Sequence, residues 1–183
     1  DGLESRGLGD VYKRQNHIGE NRIQEAARKF ESFDSMPNLT RRFIGHLQTN
    51  KVKFAVKIFD YIHSLDSEKL AKKISEEQKK NNVKPKIFIQ INLGLETQKS
   101  GIVKENLTNF YDLCMKLDLN IIGIMCIPPF NEDSSKYFSV MSNLINSIDN
   151  KELSMGMSSD YLNAIEHKST FVRIGSNIFG KRS

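Results

Sequence analysis

The chain of 183 residues holds only two cysteines, Cys114 and Cys126. They stand in no CxxC or other metal-ligand spacing, which argues against a disulfide scaffold and against a zinc site. Two uncommitted thiols fit a reducing compartment. No apolar run approaches the roughly 20 residues that a membrane-spanning helix needs. No Walker A or GxGxxG fingerprint follows any candidate strand, so a nucleotide-binding open sheet lacks its usual signal. The four histidines, His17, His46, His63 and His167, share no metal-ligand spacing. There is no sharp repeat, no low-complexity tract and no linker-like break. Lys+Arg exceeds Asp+Glu by 27 to 22, a net charge of +5. The lysines are dispersed rather than gathered in a stripe, which speaks against a nucleic-acid surface.

What is present is ordinary. Hydrophobic residues make up 38% and charged residues 27%, enough apolar material for one core in one domain. The first fifteen residues are the exception. They show no apolar periodicity and no h-region of a signal peptide. Residues 10–15, Asp-Val-Tyr-Lys-Arg-Gln, resemble the in-frame translation of a transposase adaptor (GAT GTG TAT AAG AGA CAG). Residues 1–15 are therefore expected to be a non-native scar, and residues 16–183 a single domain incomplete at its N-terminus.

From residue 16 onward, short apolar runs alternate with longer amphipathic stretches. The apolar runs 16–20, 42–46, 61–65, 86–93, 120–127, 153–157 and 170–174 read as strands. Helical periodicity fills 24–33, 50–59, 67–81, 104–117, 134–148 and 160–167. Ser67 is a plausible N-cap, and Pro85 blocks continuation of its helix. The run 86–93 (KIFIQINL) is nearly all apolar, as expected of a strand buried on both faces in a parallel sheet. Strand–helix alternation through seven strands means parallel βα units. A doubly wound open sheet and a (β/α)8 barrel both fit. The count is one unit short of a barrel, and one missing N-terminal βα unit would account for it.

In a barrel, chemistry collects at the C-terminal ends of the strands. Gly175 and Ser176 open a turn just past the last strand, where backbone N–H groups and a hydroxyl make a ready anion site. Ser158, after the preceding strand, offers a second hydroxyl. An ordinary capping turn fits the same spacing equally well. Arg173, at the end of a buried strand, needs an acceptor partner, since arginines are rarely buried unpaired. An ion pair with a barrel carboxylate such as Glu20 is one answer. Cys126, Met125, Met155 and Met157 read as strand packing, and the lysine-rich helix after Ser67 as a solvated face.

Seven blocks then carry a resemblance. GENRIQE (19–25), FIGHLQTNKVK (43–53), IHSLD (62–66), IFIQINLGLETQKSG (87–101), GIMCIPP (123–129), LSMGMSSDYLNAI (153–165) and VRIGSNIFG (172–180) resemble, in order, the pyridoxal phosphate homeostasis proteins. These are stand-alone relatives of the N-terminal domain of alanine racemase. The resemblance implies a (β/α)8 TIM barrel of the alanine racemase N-terminal type, here without its first βα unit, and pyridoxal 5′-phosphate (PLP) as cofactor. It implies Arg173 at the pyridine nitrogen, Gly175, Ser176 and Ser158 at the phosphate, Asn21 beside the ring, and Met155 and Met125 lining the site. An arginine keeps its proton, so the ring nitrogen stays unprotonated and PLP becomes a weaker electron sink. The expected role is a cytoplasmic, monomeric carrier and buffer of PLP with little or no turnover, serving PLP-requiring apo-enzymes. A PLP-dependent amino-acid racemase is the alternative. The family's Schiff-base lysine lies on the first strand, upstream of residue 19, so no catalytic residue is assigned in this sequence; Lys13 falls within the scar. Arg42 stands where the family usually has histidine. An open seam between the end strands, with its unpaired backbone groups, is expected to weaken both stability and PLP binding.

Overall fold

The structure is a computed structural model and describes residues 16–31, 38–94 and 100–180. The first fifteen residues, and with them the scar reading and Lys13, lie outside the described residues. The strands are β1 (His17–Glu20), β2 (Thr40–Phe43), β3 (Tyr61–Leu65), β4 (Lys86–Asn92), β5 (Ile102–Val103), β6 (Asn120–Met125), β7 (Glu152–Met157) and β8 (Phe171–Arg173). The helices are α1 (Ile23–Glu31), α2 (Val52–Ile58), α3 (Glu68–Asn81), α4 (Leu107–Lys116), α5 (Ser134–Leu144), α6 (Tyr161–Glu166) and α7 (Ser176–Phe179). Every ladder is parallel, in the order β1-β2-β3-β4-β6-β7-β8, with β5 on β4. The fold is an α/β barrel with the helices outside, seven strands long around its path and nearly closed. Among the described residues no ladder joins β8 to β1.

The boundaries shift where local chemistry is tighter than periodicity reveals. Turns of 3-10 helix lead into α2 and α4 and follow α5. Strand β2 stops at Phe43, where the expected strand ran to residue 46. Past it, Gly45 comes so close to β1's exit that a Cβ there would collide with the Asn21 carbonyl. The two-residue β5 pairs Ile102 with Ile91 and was too short to leave a pattern. The α3 cap is as expected: Ser67 Oγ accepts from Leu70 N at 3.4 Å, and the helix ends with Asn82 at φ 51°.

The strands sort their side chains by parity. On β4, Ile87, Ile89 and Ile91 join the apolar layer that holds the sheet to the helices, with Ile62, Leu65, Ile124, Leu153, Ala26, Val52, Ile74, Leu107 and Phe138. The alternate residue Phe88 is fully buried but lies outside that layer, stacked instead on His63 and edge-on to Phe171. Burial of each aliphatic side chain in the outer layer contributes about 1.5–3 kcal/mol. Register shifts within β3·β4, β4·β6 and β7·β8 give the strands the coiling that bends a sheet toward closure.

Candidate functional site

Because all strands run parallel, Asn21, Met125, Ser158 and the Arg173–Ser176 segment all lie at or just past the C-terminal ends of their strands. Arg173 is the organising group. Its Nη1 donates to the Ser154 carbonyl at 3.1 Å and to Ser154 Oγ at 2.7 Å, and its Nη2 donates to the Cys126 carbonyl at 2.9 Å. Glu20 is not its partner; that carboxylate takes Lys29 Nζ at 2.8 Å. Arg173 therefore forms no ion pair among the described residues. Three of its N–H groups are fastened to β7 and to Cys126 just past β6, and Nε–H and one Nη2–H carry no bond to the described chain. Burial lowers its pKa from the ordinary value, against the opposing pull of Cys126 and Asp160. A fixed cation with free N–H groups suits a lone pair on a neutral heteroatom.

Next to it, the Gly175 N–H donates to Ser158 Oγ at 3.1 Å, and Asn177 Nδ2 donates to the Ser158 carbonyl at 3.1 Å. The Ser158 hydroxyl keeps its own proton to donate. Ile178 and Phe179 bond back to the Gly175 carbonyl, each at 2.9 Å, closing α7 and leaving its first-turn amides at the mouth. A Cβ on Gly175 would meet nothing within 4 Å, so this face is open. Gly156 is needed nearby for a different reason: it holds φ +94°, and a Cβ there would sit 2.6 Å from the Ala164 methyl.

The remaining candidates fall into two places. Asn21 is exposed at the end of β1, on the other terminal strand of the sheet path from Arg173. Met125 is buried and lies outside the sheet–helix layer, whereas Met155 is fully buried within it beside Leu153. Between those two, Ser154 faces the barrel. Cys126 contributes its carbonyl; burial pushes its thiol up to about 12, and that of Cys114 likewise. Both thiols are inert at neutral pH.

Sequence reasoning missed the barrel's inner polar core. His63, 1% exposed, sets Nδ1 2.8 Å from Ser154 Oγ. Burial, then the Arg173 and Arg42 charges, hold His63 well below its ordinary pKa of 6.5. Arg42 is 8% exposed, its guanidinium 3.8 Å from the Tyr61 ring centre and 4.6 Å from that of Phe171. One of its nitrogens donates to His17 Nδ1 at 3.1 Å and the other, Nη1, is buried without a partner. The available signal was parity: His63 and Ser154 are polar residues set between apolar neighbours on buried strands. Two surface hollows, of about 400 Å³ beside Lys69, Lys72 and Lys73 and about 260 Å³ at the strand starts Tyr61, Lys86, Glu152 and Phe171, include none of the mouth residues.

Comparison with known proteins gives the family and the fold. The family described as alanine racemase, N-terminal domain, matches residues 7–183. A pyridoxal phosphate homeostasis protein of Aquifex aeolicus is 39% identical over 174 residues, covering 90% of this chain and 76% of that protein. The structure of PipY of Synechococcus elongatus PCC7942 with PLP bound superposes with a TM-score of 0.84 at 30% identity, covering 98% of this chain and 89% of that one. An alanine racemase of Clostridium difficile 630 shares the fold, with a TM-score of 0.72 at 17% identity over 94% of this chain and 47% of that one.

Proposed function

The chain belongs to the alanine racemase N-terminal domain family, among the pyridoxal phosphate homeostasis proteins, and from that premise we propose that it binds PLP at the C-terminal mouth of its barrel. The observation that carries the proposal is Arg173, a fixed guanidinium with no ion-pair partner among the described residues and with uncommitted N–H groups, at the end of the same strand that leads into the open Gly175–Ser176 turn. These residues fit the cofactor. Arg173 would donate to the ring nitrogen without surrendering its proton. Ser158, Ser176 and the first amides of the turn would hold the phosphate. Asn21 would lie beside the ring, with Met125 against it. Bound PLP supplies an aldehyde that reacts with primary amines and a ring that accepts electron density.

An arginine at the ring nitrogen restrains that electron demand, which suits holding PLP more than turning it over. The role proposed is intracellular PLP homeostasis: a monomeric cytoplasmic carrier that buffers PLP and releases it to apo-enzymes, with little or no racemase turnover. Two buried free cysteines are consistent with a reducing compartment, and no described helix is long and apolar enough to cross a membrane. The test has two arms. PLP-loaded chain mixed with a PLP-requiring apo-enzyme should restore that enzyme's activity. Incubation with Cα-deuterated alanine should release no label. Deuterium loss at or above ~1 s⁻¹, the low end of ordinary enzyme turnover, would replace the carrier reading with a racemase.

A further inference from the structure

Two polar side chains are buried inside the barrel where hydrocarbon would cost less desolvation. His63 is 1% exposed and Ser154 is fully buried. Ser154 Oγ lies 2.7 Å from Arg173 Nη1 and 2.8 Å from His63 Nδ1, so the hydroxyl bridges a guanidinium and an imidazole. The donor inventory sets the sense of the bridge. Arginine only donates, so Nη1 occupies one serine lone pair. If the Ser154 hydroxyl donates to Nδ1, a single group stays unpaired, the buried Nε2, which has no partner. If Nδ1–H donates instead, both the serine proton and the Nε2 lone pair are stranded. The first arrangement leaves fewer groups unpaired. It requires a neutral ring, in keeping with the burial and the two nearby guanidinium charges that depress His63. The ring itself is held in place, stacked on Phe88 at 4.4 Å and edge-on to Phe171 at 6.2 Å.

We propose that His63 is a positioning residue for the cofactor's ring nitrogen. By accepting the Ser154 hydroxyl proton it keeps the serine lone pair turned to Arg173 Nη1. That fixes the guanidinium with its remaining N–H groups available to an unprotonated ring nitrogen. The inference rests on the PLP reading above.

The experiment measures affinity for PLP and for 1-deaza-PLP, which carries C–H in place of the ring nitrogen, by equilibrium dialysis at neutral pH. A charge-assisted hydrogen bond to the ring nitrogen makes wild type prefer PLP by about tenfold or more. In His63→Leu and in Ser154→Ala the preference should collapse to about threefold or less. In His63→Asn, whose amide oxygen takes the place of Nδ1, most of it should return. If His63→Leu does not fold by circular dichroism, Ser154→Ala and His63→Asn carry the test. A role confined to packing would weaken both ligands alike and leave their ratio at the wild-type value; that result overturns the inference alone. A wild type that binds neither ligand overturns the PLP reading, and this inference with it.

Discussion

The two faces of one sheet are built to opposite rules. Toward the helices, Ile62, Ile87, Ile89, Ile124 and Leu153 meet Val52, Ile74, Leu107 and Phe138 in an apolar layer. Toward the barrel axis, the sheet presents Arg42, His63, Ser154 and Arg173, with Tyr61, Phe88 and Phe171 between them. The outer layer is bonded mainly by burial, although Gln78 Oε1 on α3 and Ser64 Oγ on β3 are also buried without a partner. The inner one holds two guanidinium groups without an ion-pair partner among the described residues and two buried nitrogens, Arg42 Nη1 and His63 Nε2, with none at all. Unpaired buried polar groups cost about 1–3 kcal/mol each. What sets the inner face apart is that its unpaired atoms belong to cationic and ionisable side chains, Arg42 and His63, packed near Arg173.

That separation can be broken by experiment. The largest expected effect is in the outer layer. Ile89→Ala should cost about 2–5 kcal/mol of stability through lost burial and the cavity left behind, read as a lowered urea midpoint. PLP affinity of the folded molecules should stay within about twofold. A comparable loss of affinity would mean the two faces are coupled.

The inner face should announce itself through pH. His63 has a folded pKa depressed below 6.5, so on acidification the unfolded chain binds a proton that the folded chain refuses. Stability should therefore be level above about pH 6.5 and fall below it by up to about 1.4 kcal/mol per pH unit, until the depressed pKa is reached. His17, also lowered by burial and Arg42, adds in the same direction. His63→Leu should flatten this acid limb in urea titrations between pH 7.5 and 5.5. An unchanged limb would remove His63 from the account.

The smallest effects sharpen the contrast. Ser67→Ala removes the α3 cap on the outer side and should cost about 1 kcal/mol. Arg42→Met removes a buried cation with an orphaned nitrogen while sparing the Tyr61–Phe171 slot. Its lost cation–π contact and its relieved desolvation oppose each other, so the urea midpoint should move by no more than about 1 kcal/mol in either direction. A loss beyond 3 kcal/mol would make Arg42 part of the scaffold.

Much of the outer face was legible in the sequence, because it depends on periodicity. The KIFIQIN run, the Ser67 cap and the strand–helix alternation all reflect one-dimensional patterns that burial imposes. The (β/α) barrel reading and its family followed from those blocks in order. Strand ends were less legible: β2 stops at Phe43 because Gly45 abuts Asn21, a contact between segments more than twenty residues apart. The inner face was half legible. Arg173, Ser158, Gly175 and Ser176 sit in short distinctive motifs, and the structure gathers them at the ends of β7 and β8. The tie of Arg173 to the Cys126 carbonyl and the His63–Ser154 bridge join residues 47 and 91 positions apart. No local pattern encodes them; only closure of the barrel brings them together. Met155 shows the same limit, since parity and the irregular β7·β8 register place it in the core layer.

The account turns on Arg173 as the group that reads the cofactor, and the direct measurement is the PLP dissociation constant of wild type against Arg173→Met, by absorbance titration at neutral pH. Loss of a charge-assisted hydrogen bond predicts affinity weakened by about ten- to a hundredfold, with a urea midpoint within about 1 kcal/mol of wild type. Equal affinities in two folded proteins would contradict it.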